Sequence, residues 1–170
     1  MINLNNVILI GMPGAGKSTL GVLLAKALGY SFIDTDLILQ HREGQLLQEI
    51  IELKGLEVFK AIENKMLTEL DLEKHVIATG GSVVYCEEGM RHLKSQGLLI
   101  YIELSYETVE KRLHNIKTRG IAMDKTQSLH DIYIERCSLY KAYADMVVNC
   151  DGTDIETSVS KLLNILEENK

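Results

Sequence analysis

Proline is almost missing from this 170-residue chain, which has one, Pro13, against 13 glycines. With no repeat, low-complexity stretch or Pro/Ser-rich linker either, nothing marks a boundary between domains, and one continuous domain over 1–170 is expected. Cysteine is also scarce. Cys86, Cys137 and Cys150 are odd in number and show neither CxxC nor His-paired spacing, which argues against a disulfide framework or a zinc site. The long apolar run near the start, Val7 to Ile10, is far too short to span a membrane and lacks a signal peptide's basic region and cleavage site. Positive charge is in deficit: 18 Lys and Arg against 24 Asp and Glu leave a net charge of −6. That sign is wrong for a protein whose main task is neutralising nucleic acid or anionic lipid. A cytoplasmic protein with neither partner is expected. No heptad or apolar seam is evident, so a monomer is expected too.

Hydrophobic residues make up 46% and charged residues 25%, enough to bury a core and remain globular. Strand-like and helix-like segments alternate. Asn6 to Ile10, Ser31 to Ile33, Val76 to Ala78, Leu98 to Ile102 and Met146 to Val148 read as strands. Ser18 to Leu28 reads as a helix ended by Gly29, and Leu37 to Leu72 as helices broken at Gly44 and Gly55. Further helices are expected over Tyr106 to His114, Leu129 to Ala144 and from Ile155 onward. Apolar strands without period-two alternation imply a parallel α/β sheet covered on both faces, with ligands beyond the strands' carboxyl ends.

Glycine clusters fall at those ends. Gly11-Met12-Pro13-Gly14-Ala15-Gly16-Lys17-Ser18 matches G-x-x-x-x-G-K-[ST] between a strand and a helix, the context that motif requires. Its glycines let backbone N–H groups close on phosphate oxygens, and the following helix aims its positive end at the same anion. Lys17 would reach the outer phosphates and Ser18 would ligate magnesium. After the second strand, Asp34-Thr35-Asp36 offers two acids at i and i+2. One could serve the metal and the other a substrate hydroxyl, or one could simply cap the next helix.

The phosphate loop, Asp34-Thr35-Asp36, Gly55-x-x-x-Phe59-x-x-x-Glu63, Ala78-Thr79-Gly80-Gly81, and Glu135-Arg136 with Leu139-Tyr140 and Ala144-Asp145 occur in that order. Together, from about residue 6 to 148, the chain resembles the shikimate kinase family. The resemblance implies a three-layer α/β/α fold around a five-stranded parallel sheet, of the P-loop, nucleoside-monophosphate-kinase-like kind. It implies transfer of the γ-phosphate of ATP to the 3-hydroxyl of shikimate, with Mg2+, in aromatic amino-acid biosynthesis. Gly14, Ala15, Gly16, Lys17, Ser18, Thr19 and Arg119 would then hold ATP, with Ser18 and Asp34 on the metal. Asp36, Lys60, Gly80, Gly81, Ser82 and Arg136 would hold the acceptor, and Lys17, Asp36 and Arg119 would be catalytic. Residues 35–72 would form the substrate-binding region and 115–127 a lid.

The chain departs from the family pattern at three places. Lys60 replaces an arginine, keeping the charge but losing the planar fork. Ser82 replaces the third glycine of a Gly-Gly-Gly run, and the lid reads Arg119-Gly120-Ile121-Ala122 instead of Arg-Pro-Leu-Leu. A related P-loop kinase with another small hydroxylated acceptor is therefore one alternative reading. An ATP-binding module without transfer is a second, and a nucleoside monophosphate kinase fits the acids and Arg136 less well. Glu63 is open between direct substrate contact and a charge pair with Lys60 or Arg136.

Overall fold

A computed structural model describes residues 5–114 and 121–169. Five strands, β1 (Val7–Ile10), β2 (Ser31–Asp34), β3 (His75–Ala78), β4 (Leu98–Glu103) and β5 (Met146–Asn149), form one sheet in the order β2-β3-β1-β4-β5. Every neighbouring pair is parallel. The helices are α1 (Lys17–Leu28), α2 (Thr35–Glu43), α3 (Leu47–Lys54), α4 (Leu56–Thr68), α5 (Glu87–Gln96), α6 (Tyr106–His114), α7 (Leu129–Tyr143) and α8 (Ile155–Glu168), with a 3-10 turn at Val83–Tyr85. Helix α1 packs on β1, β2 and β3 and against α8, whereas α5 and α7 lie against β4. This is the expected three-layer α/β/α architecture.

The central strands are covered on both faces. All of β1 and nearly all of β3 and β4 are buried, so their side chains are apolar without alternation. Edge strands β2 and β5 are partly open. The sequence pattern assigned nothing between Ser82 and Gly97, where the structure has the 3-10 turn and α5. That helix is mostly polar, burying only Gly89, Met90 and Leu93, so its apolar signal is thin.

One buried asparagine ties the lower ends of three strands together. Asn6 Nδ2 donates to Leu72 O (2.6 Å) and Gln96 O (3.1 Å), and Oδ1 accepts from His75 N (2.9 Å). These bonds hold the segments entering β3 and β4 beside β1, which leaves the opposite, carboxyl ends free to build a site. Among the described residues, no helix is long and apolar enough to cross a membrane.

Candidate active site

The phosphate loop joins β1 to α1. Gly16 takes φ 87°, a left-handed conformation that side chains disfavour, to turn the chain into the helix. No side chain caps α1 and no acid occupies its first turn, so its leading N–H groups suit an anion. Buried Lys17 lies back over the loop, with Nζ donating to Gly11 O (2.7 Å) and Met12 O (2.8 Å). Ser18 Oγ donates to Asp34 Oδ2 at 2.5 Å, and Asp34 Oδ1 accepts from Asp36 N at 2.9 Å. Asp34 therefore both caps α2 and meets Ser18. A hydroxyl beside a carboxylate is a hard oxygen set that fits Mg2+.

The end of β3 supplies the opposite wall. Thr79 donates to Leu9 O through both N (3.2 Å) and Oγ1 (2.8 Å), pinning this turn to β1. A methyl at Gly80 would meet Asp36 Oδ1 at 2.5 Å and Glu63 Oε2 at 3.1 Å; one at Gly81 would meet Pro13 Cδ at 2.6 Å. Only glycines allow the phosphate loop, α2 and α4 to approach this closely. The Gly80 N–H, expected to face an acceptor, donates to Thr35 Oγ1 at 3.2 Å. Tyr140, buried against Tyr101, donates to Gly81 O at 2.5 Å and fixes the peptide.

Arg136 lies on α7 with 1% of its surface exposed. Its Nη2 donates to Ala122 O, its guanidinium stands 5.4 Å from the centroid of the Tyr85 ring, and its Nε has no partner among the described residues. Among the described residues no carboxylate forms an ion pair with it. A buried cation with an unsatisfied donor is costly unless an anion joins it.

These elements enclose a crevice of about 260 Å3. Gly14, Gly16, Lys17, Ser18, Thr19, Asp34, Asp36, Gly80, Gly81, Ser82 and Arg136 all line it. Beyond Gly16 and Thr19, which both share, a second cavity of about 220 Å3 is bounded by Ala15, Arg112, Thr153 and Ile155.

The family model for shikimate kinase matches residues 13–167. The chain belongs to the shikimate kinase family. It is 36% identical over 172 residues to a shikimate kinase of Francisella tularensis subsp. holarctica, covering 99% of this chain and 98% of that protein. It is 37% identical to one from Staphylococcus haemolyticus, covering 94% and 93%. Among solved structures, it resembles the Acinetobacter baumannii shikimate kinase in complex with shikimate, with a TM-score of 0.90, 29% identity, and coverage of 98% and 95%. As a member of this shikimate kinase family the chain is a phosphotransferase, with ATP as donor and an alcohol group as acceptor.

One sequence-based assignment stands apart from the crevice. Lys60 does not line it: its ammonium is 3.6 Å from Glu57 Oε1 and 4.9 Å from the centroid of the Tyr85 ring. Arg119 and Gly120 lie outside the described residues. Glu63 makes neither expected charge pair among the described residues; Ser82 Oγ donates to its Oε1 at 2.7 Å and Cys86 Sγ lies 3.7 Å away. Burial, aided by the charge of Asp36, pushes the Glu63 carboxyl up to about 7 against the pull of Ser82, Cys86 and Arg136. Sequence reasoning missed Arg112, whose Nη1 donates to Gly14 O at 3.1 Å. It also missed the Thr153–Ile155 wall, although the turn after β5 was already at the binding end of the sheet.

Proposed function

We propose that the chain transfers the γ-phosphoryl group of ATP to a hydroxyl of shikimate, giving ADP and shikimate 3-phosphate. The observation that carries this reading is the buried Arg136 guanidinium, which has no carboxylate partner among the described residues and faces the same crevice as the phosphate loop and Asp36. Those features match an acceptor that is both an anion and a polyol. The A. baumannii relative, in complex with shikimate, supports the same acceptor.

In this reading the triphosphate lies along Gly14 to Ser18, held by backbone N–H groups and the start of α1. The adenine enters the cavity between Arg112 and Ile155. Ser18 and Asp34 would hold Mg2+, which when bound supplies neutralising charge to the phosphates. Arg136 binds the acceptor carboxylate, where a planar fork suits a planar anion. Asp36 accepts the hydrogen bond of the attacking hydroxyl and takes its proton. The hydroxyl oxygen forms a bond to the γ-phosphorus as the bond to the β,γ-bridging oxygen breaks, and ADP leaves. Lys17 and Arg119 meet the charge on the transferring group. Holding hydroxyl and phosphate in line is the main catalytic contribution.

Residues 1–170 act as one kinase domain, with 35–72 contributing to the substrate side and 115–127 closing over it as a lid. The protein works in the cytoplasm as a monomer, without nucleic-acid or membrane partners, consistent with its net −6 charge. Phosphate transfer from ATP to shikimate, followed by 31P NMR with Mg2+ present, tests the assignment. A new phosphomonoester resonance supports it, and ATP left intact at saturating shikimate removes it.

A further inference from the structure

Among the described residues, Glu63 is the one buried carboxylic acid near the crevice that the reaction above does not use. It is 1% exposed, and its Oε1 is held by the hydroxyl of Ser82 and the thiol of Cys86, with no cation at ion-pair distance among the described residues. Its Oε2 and Asp36 Oδ1 flank the space that Gly80 leaves by having no side chain. Two carboxyl groups thus converge beneath the acceptor position, one lining the crevice and one sealed under it.

We infer that Glu63 is an acceptor-linked proton site: when the anionic acceptor settles beside Arg136, the Glu63 carboxyl takes up a proton from water, and the Ser82 hydroxyl sets the pH at which it does so. The inference rests on the proposed acceptor being an anion bound by Arg136. Glu63 is buried and does not line the crevice, so the role inferred for it is that of a positioning residue.

The direction follows from the charges around it. Burial and Asp36 on α2 favour the protonated form, whereas donors from Ser82 and Cys86 and the charge of Arg136 on α7 favour the ionised one. On α4 itself, Lys60 pairs with Glu57. From α5, Glu88 turns to Asn64. On α3, Glu49 accepts from Leu46 N, Glu52 from Gln48, and Lys54 pairs with Glu43. An arriving carboxylate cancels the field of Arg136 and adds a negative charge of its own, and both effects favour protonated Glu63. By linkage, acceptor affinity must then fall as Glu63 ionises. With the carboxyl poised at about 7, acceptor binding just above neutral pH takes up a fraction of a proton, roughly half for a displacement of about one pH unit.

Calorimetry of shikimate binding to the full chain, repeated near pH 7.5 in buffers of different ionisation enthalpy, measures this uptake directly. The expected result is an apparent heat that varies with the buffer, corresponding to proton uptake, and a flat dependence in Glu63→Gln. In Ser82→Ala the pH of maximal uptake moves upward, and Ser82→Thr restores it toward that of the parent. These two variants carry the test if Glu63→Gln does not fold. Binding heat that is the same in every buffer overturns the inference and leaves shikimate as the acceptor. So does uptake that persists in Glu63→Gln, or an unmoved maximum in Ser82→Ala. Absence of any shikimate binding overturns both the acceptor assignment and the inference that rests on it.

Discussion

Replacing Glu63 by Gln should make the protein's stability less dependent on pH, in a direction the structure fixes. The Glu63 carboxyl ionises near 4.5 when exposed and at about 7 in the fold, chiefly because it is buried. A folded acid that holds its proton more tightly than the unfolded chain contributes stability below about pH 4.5. That contribution is lost as pH rises through 7. At about 1.4 kcal/mol per pH unit the whole effect is about 3 kcal/mol, of which about 2.5 kcal/mol falls between pH 5 and pH 8. Glutamine keeps an amide oxygen for the Ser82 hydroxyl but cannot ionise. Urea unfolding of parent and Glu63→Gln, followed by circular dichroism at both pH values, therefore gives a stability difference that grows in the variant's favour toward pH 8. Stability profiles that remain parallel across this range would refute the reasoning, because a carboxyl that ionises alike folded and unfolded contributes no slope.

Other substitutions probe separate parts of the account. Gly80→Ala places a methyl 2.5 Å from Asp36 Oδ1, so kcat/KM for the acceptor should drop about 100-fold, the scale of a 1 Å misplacement, while the far-ultraviolet spectrum stays the same. Arg112→Ala removes the bond to Gly14 O and one wall of the second cavity. It should raise KM for ATP about tenfold, the equivalent of about 1.4 kcal/mol, with little change in KM for the acceptor. Asn6→Ala deletes three side-chain bonds to Leu72, Gln96 and His75. It should cost about 2–4 kcal/mol in a denaturant titration without altering KM for either substrate.

How much of this molecule can be read from its sequence depends on whether the cause is local. The phosphate loop, the strand before it and α1 are specified by contiguous residues, as are the breaks at Gly44 and Gly55 between α2, α3 and α4. Helix α5 escaped detection because its surroundings bury only three of its residues. In the site, Asp34 and Asp36 were legible from spacing. That Asp34 serves α2 and Ser18 together depends on β2 running beside β3, with α1 packed over them. Arg112 and Gly14 are 98 residues apart, and no local pattern announces their meeting. The departure at Ser82 acquires meaning only when folding buries its hydroxyl against Glu63. Lys60 is likewise directed by its neighbours, Glu57 and Tyr85, rather than by the charge it shares with the arginine it replaces.

The central claim is that this crevice phosphorylates shikimate with Asp36 acting on the attacking hydroxyl. The most direct measurement is shikimate-dependent ADP release with ATP and Mg2+, made on the parent and on Asp36→Asn. The account predicts release in the parent that requires shikimate, and a fall of at least 100-fold in kcat in the variant, the scale of a lost proton acceptor. Turnover that Asp36→Asn leaves unchanged, or a parent that releases no ADP on addition of shikimate, would contradict it.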